Sequence, residues 1–210
     1  MRLIHTSLFL ASALALSACK QGVEPDAAPA DAATPATSAA PAADPAAPPP
    51  MTAMTAMAAP VATAQLQPTK DSTVAGTIQF HLVDGLLRAS GDISGLKPNS
   101  EHGFHIHEKG DCSAPDGTSA GGHFNPGSSE HGSIEAPAHH GGDMPNIVAD
   151  AQGNAHIDGP VASNVNVGKG DDFDIIGRGL IVHADPDDYK SQPTGNAGAR
   201  LACAVIAKVP

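Results

Sequence analysis

Residues 102–143 read HGFHIHEKGDCSAPDGTSAGGHFNPGSSEHGSIEAPAHHGGD. They hold seven of the chain's eleven histidines: His102, His105, His107, His123, His131, His139 and His140. Neutral imidazole is the commonest side-chain metal ligand, so this density calls for a metal-binding explanation. The stretch opens within EHGFHIH, an alternating run that predicts a strand. Residues i and i+2 of a strand point to the same face, roughly 7 Å apart, so His105 and His107 can close on one metal ion. The remaining histidines fall in a Gly/Pro/Ser-rich loop that ends at Asp143. Three imidazoles and a carboxylate suit tetrahedral zinc, and four nitrogens suit copper(II). The stretch therefore offers ligands for two metals.

The flanks predict strands. VAGTIQFHLV and LLRASGDI alternate on either side of Asp84–Gly85, a hairpin signal, and SGLKPNS is a turn. NIVAD and NAHID form two short strands about AQG, VNVGKGDDFDIIGRGLIVH a loop and then a strand ending at His183, and DPDDYKSQPTGNAG a second long loop. RLACAVIAKV is the closing strand. His81 reads as a surface or packing residue and His156 as an exposed one. Aromatics make up only 3% and Trp is absent, so the core rests on Val, Ile, Leu and Ala. Short strands with Gly/Pro-rich turns predict an all-β sandwich or barrel.

The N-terminus is of another kind. Arg2 and the apolar LFLASALALSA, too short to span a bilayer, predict a signal peptide over 1–18. LSA before Cys19 resembles a bacterial lipoprotein signal, with Cys19 lipidated; the alternative is an ordinary signal peptide cleaved near Ala18. Lys20 favours an outer-membrane lipoprotein facing the periplasm. Residues 19–70 are rich in Ala and Pro and are expected to form a disordered tether, leaving 71–210 as the folded domain. Met51, Met54 and Met57 lie three apart in the tether. Their thioethers suit Cu(I), giving a copper-collecting reading beside the plainer one of tolerated linker residues. Acids outnumber bases 22 to 11, a formal charge of −11, which argues against nucleic acid as a partner. Cys112 and Cys203 remain as a pair. Each could be a merely buried thiol, but an export signal raises the disulfide reading. That bridge would close a loop of 91 residues (203 − 112).

GFHIHEKGD, AGGHFNP, HHGGD, GRGLIVHADPDD and GNAGARLAC resemble, in the same order, the signature segments of copper/zinc superoxide dismutase. The spacings His123 to His131 (eight), His131 to His140 (nine) and His140 to Asp143 (three) are similar to that family's zinc loop. The resemblance implies an eight-stranded Greek-key β-barrel with two long loops forming the site. It implies one copper per chain on His105, His107, His123 and His183, and one zinc on His123, His131, His140 and Asp143. His123 would bridge the two metals. Asp187 would join His105 to His131 behind them, and His102 would be structural. Arg200 would guide the superoxide anion, Thr194 would line its channel, and Lys190 could assist. Dismutation to dioxygen and hydrogen peroxide in the cell envelope is the implied activity, and a homodimer is left open without an assigned interface. Two departures stand out. Arg200 follows His183 by only 17 positions, so the second loop is trimmed, and Cys112 lies eleven residues before His123, as in bacterial members.

Overall fold

Nine β-segments in sequence order build the domain: β1 Pro60–Pro68, β2 Ala75–Val83, β3 Leu86–Ser94, β4 Glu101–His102, β5 Phe104–His107, β6 Ile147–Val148, β7 Ala155–Pro160, β8 Gly179–His183 and β9 Arg200–Lys208. This is the arrangement in a computed structural model that describes residues 58–210. The signal segment, Cys19 and the Met51, Met54 and Met57 run lie outside the described residues. Seven segments join in one antiparallel sheet of order β5-β8-β9-β1-β2-β3-β7, and β4 pairs with β6. EHGFHIH is one strand interrupted at Gly103: its first part pairs with β6 and its second with β8. With β6 packed against β7, the nine segments form the eight strands of a closed all-β barrel.

The expected tether ends too late. β1 lies within residues 19–70 as read from composition, yet it is a central strand, paired with β2 on one side and β9 on the other. Ala62, Ala64 and Leu66 alternate inward and are fully buried or nearly so. Small inward residues in VATAQLQ carry the period of a strand, but their Ala-rich composition blends into the Ala/Pro run before them.

Alternation fills the interior. Ile78 and Phe80 of β2, Leu87, Ala89 and Ile93 of β3, Phe104 and Ile106 of β5, Leu180 and Val182 of β8, and Ala202, Ala204 and Ile206 of β9 form one core with β1. The β2–β3 hairpin turns at Asp84 (φ 52°) and Gly85 (φ 80°). Positive φ at both central residues matches the twist of the flanking strands. Outward residues Ile181 of β8 and Cys203 of β9 are buried too, because loops cover that part of the face. Ile181 and Cys203 pack there with Ala120, and Cys203 is joined to Cys112. A loop over that same face carries four histidines, His123, His131, His139 and His140. Among the described residues no helix is long and apolar enough to cross a membrane.

Candidate metal centre

β5 supplies the foundation. Phe104 and Ile106 point into the core, so His105 and His107 point out of the barrel, where the loops bury them. The 108–146 loop is laced to this strand: Ile106 N–H donates to Gly142 O at 2.9 Å, and Phe124 N–H to Ile106 O at 2.8 Å. That lacing sets His123 opposite His107. His183 ends β8, which is paired with β5, and Arg200 opens β9 directly across from His183.

Two buried clusters result. Ligand-capable atoms of His105, His107, His123 and His183 all lie within 4.8 Å of one another, and so do those of His123, His131, His140 and Asp143. His123 belongs to both. Every residue expected at the two metals is thus brought into one of these groups, while His139 turns away to the carbonyl of His140. His102 stands behind them, its Nδ1 bonded to the His183 carbonyl at 2.8 Å and its Nε2 to Ser100.

The outer hydrogen bonds decide which nitrogens face inward. His105 Nε2 donates to Asp187 Oδ2 at 2.8 Å, His107 Nδ1 to Gly121 O at 2.9 Å, and His183 Nδ1 to Gly198 O at 3.3 Å. Carboxylate and carbonyl oxygens only accept, so each ring keeps its proton on the outside. The inner atoms, His105 Nδ1, His107 Nε2 and His183 Nε2, are left with lone pairs. His107 Nε2 and His183 Nε2 face each other at 3.3 Å. His105 Nδ1 and His123 Nε2 are buried without a hydrogen-bond partner. Lone pairs converging in a dry interior are unfavourable unless a cation meets them, and four imidazole nitrogens suit copper.

In the second cluster one oxygen, Asp143 Oδ1, faces three Nδ1 atoms: His123 at 2.9 Å, His131 at 3.0 Å and His140 at 3.3 Å. The other oxygen, Oδ2, accepts the main-chain N–H of Gly132 and of His140, at 3.0 and 2.8 Å. His131 Nε2 is turned outward to Asp187 Oδ1 at 2.9 Å. Asp187 therefore spans the clusters from behind, one oxygen on each. Three imidazoles and a carboxylate fit zinc, and outer carboxylates of this kind fix ring orientation.

Protonation follows the same geometry. Burial pushes His107 well below its ordinary value, with His123 and His183 adding to the effect. Burial likewise lowers His183 to about 3 and His123 to about 4, the latter against the pull of Asp143. His131 goes the other way. Burial opposes its proton, but hydrogen bonds to Asp143 and Asp187 prevail and raise it to about 9. Burial would raise Asp143 and Asp187, yet their imidazole partners hold both far below the usual carboxylate range.

Arg200 is half-buried beside the first cluster. Its guanidinium donates to Gly117 O and Gly121 O, and the latter carbonyl also holds His107. Burial lowers its pKa, but an arginine stays charged at neutral pH. Thr194 is half-buried and Lys190 exposed, and no side-chain hydrogen bond ties either to the clusters among the described residues. Two contributors were not anticipated. Asn146 and Gln192 each make two bonds to the main chain of a residue in the opposite loop. Nothing in their local sequence pattern marks them.

An all-β barrel bearing two buried histidine clusters that share one histidine has the frame of a metal-binding protein. Residues 74–206 match the family described as copper/zinc superoxide dismutase (SODC). "Superoxide dismutase [Cu-Zn] 2" of Aquifex aeolicus is 47% identical over 114 residues, covering 53% of this chain and 67% of the relative. The "Superoxide dismutase [Cu-Zn]" of Paramecium bursaria Chlorella virus 1 is 45% identical over 143 residues, covering 65% and 74%. The crystal structure of a SOD-like protein from Bacillus subtilis superposes with a TM-score of 0.61 at 37% identity, over 68% of this chain and 96% of that one. The chain belongs to the copper/zinc superoxide dismutase family. It is an oxidoreductase of superoxide, and its barrel is the Greek-key barrel of its structural neighbours.

Proposed function

We propose that this chain dismutes superoxide at a copper held by His105, His107, His123 and His183, with His123 bridging to a zinc held also by His131, His140 and Asp143. One ion of each per chain is the reading. The observation that carries it is the pair of buried, unpartnered nitrogens, His105 Nδ1 and His123 Nε2, next to three imidazoles turned on one oxygen of Asp143. When bound, copper would supply the one-electron redox chemistry that dismutation needs. The chain's residues do the rest. Arg200 draws the anion against a net charge of −11. In the copper(I) state His123 Nε2 would carry a proton in place of the metal and give it back on the path to hydrogen peroxide, whose second proton would come from solvent. Asp187 keeps His105 and His131 in the tautomers that turn a lone pair inward.

The same reading places the protein in the periplasm, lipidated at Cys19 and held to the outer membrane through residues 19 to about 57, where it protects the cell envelope. The apolar start and LSA before Cys19 support this. Homodimerisation belongs to the proposal without an assigned surface. The test is metal content and superoxide dismutation on the chain from residue 20 onward. One copper and one zinc with fast, cyanide-sensitive turnover is the expected result. Full metal without turnover would leave a metal-binding protein instead.

A further inference from the structure

We propose that Gln192 is a positioning residue for His131, the side chain through which the 184–199 loop holds that residue's main chain at the zinc cluster. The inference rests on His131 being a zinc ligand. The carboxamide of Gln192 grips the His131 main chain at both ends: Oε1 accepts the N–H at 2.9 Å, and Nε2 donates to the carbonyl at 2.9 Å. His131 lies outside any strand, and these are the hydrogen bonds its main chain makes among the described residues. A carboxamide carries one donor side and one acceptor side, so it takes the part of a missing neighbouring strand.

The arrangement has a mirror image. Asn146 Oδ1 accepts the N–H of Asp187 at 2.9 Å, and its Nδ2 donates to the Asp187 carbonyl at 2.9 Å. Each loop thus carries an amide side chain that grips the main chain of the other loop. The two gripped residues, His131 and Asp187, are themselves joined at 2.9 Å. The second loop is braced mainly by Asp188, whose carboxylate gathers the main-chain N–H groups of Lys190 and Ser191, the Ser191 hydroxyl and the Asn196 amide; within the loop Gln192 adds one long bond, Nε2 donating to Lys190 O at 3.4 Å. Both bonds of Gln192 to His131 therefore aim the loop and do not build it. The closure is tight. At Gly195 (φ 63°) a Cβ would overlap the Asp187 carboxylate and reach 2.7 Å from His131 Nε2. A loop so pressed on His131 cannot shift without moving the ring. By linkage, whatever the seated loop adds to zinc affinity, zinc returns to the seating of the loop.

The test uses the full chain, stripped of metal and titrated at the zinc cluster with cobalt(II), whose visible bands report tetrahedral geometry. Gln192→Ala should bind about tenfold more weakly, as outer partners of metal ligands typically do when removed, with altered bands and faster zinc loss to a chelating dye. Gln192→Glu keeps the acceptor but sets an oxygen against the His131 carbonyl, so it should behave like Ala. Ser191→Ala removes a brace inside the loop without touching His131 and should leave the cobalt affinity and bands unchanged. In the wild type, amide exchange over 187–196 should slow on zinc loading; in Gln192→Ala that slowing should be lost. Unchanged affinity and bands in Gln192→Ala, with a wild type that binds zinc, would overturn the proposal alone. Equal weakening by Ser191→Ala would overturn it in favour of general loop stiffness. A wild type that binds no zinc would overturn the reading of the site, and the proposal with it.

Discussion

The proton on His131 sits where the second metal would draw its ligand. With its pKa raised to about 9 by Asp143 and Asp187, this ring is an imidazolium at neutral pH, whereas His123 and His183, lowered to about 4 and 3, are already neutral. A metal needs the deprotonated ligand. Through His131, zinc binding at pH 7 should therefore release about one proton, while His107, His123 and His183 have almost none to give up to a metal. The sign follows: zinc affinity rises with pH until about 9 and falls steadily below it. Calorimetry in buffers of different ionisation enthalpy measures the proton count. Arg200 gives a second residue-scale prediction. Arg200→Ala should lower the low-salt rate by about tenfold, the lower end of electrostatic steering, and flatten its decline with ionic strength. Metal content should stay the same, and Arg200→Lys should recover part of the salt dependence. Stopped-flow dismutation over a range of salt concentrations reads this directly.

At the scale of elements, β1 is the most informative piece. A chain beginning at residue 70 lacks the strand between β2 and β9 and the burial of Ala62, Ala64 and Leu66. It should not fold. A chain beginning at residue 58 should give a cooperative melt by circular dichroism; the same melt from residue 70 would contradict the central place of β1. This strand also marks where the sequence was hard to read. β2, β3, β8 and β9 announce themselves by β-branched or large apolar residues between turn signals, and Asp84–Gly85 fixes the hairpin. The inward side chains of β1 are mostly Ala, so composition hides the alternation. The grouping of the seven cluster residues was legible through the resemblance of the motifs that carry them; strand alternation alone pairs His105 with His107, and nothing local marks His183. Asn146 and Gln192 were not legible, since their partners are main-chain atoms, which carry no residue identity for a motif to match.

The described residues together form a barrel whose candidate site lies outside its core, on a face covered by loops. The Cys112–Cys203 bridge ties one of those loops to β9 across a separation of 91 residues. In the loop-entropy view a closure of this size contributes roughly 4 to 5 kcal/mol. Cys112→Ser should accordingly lower the melting temperature under oxidising conditions, and the two forms should converge when reductant is added. Differential scanning calorimetry with and without reductant makes the comparison.

β9 has a consequence for the order of assembly. It brings the partner that β1 needs, the cysteine that Cys112 needs, and the arginine across from His183. All three lie in a single strand. A chain in which β9 has not yet docked holds every histidine of both clusters and is still an open sheet, with no bridge and no anion guide. Docking of that one strand thus acts as a latch, joining closure of the barrel to completion of the site.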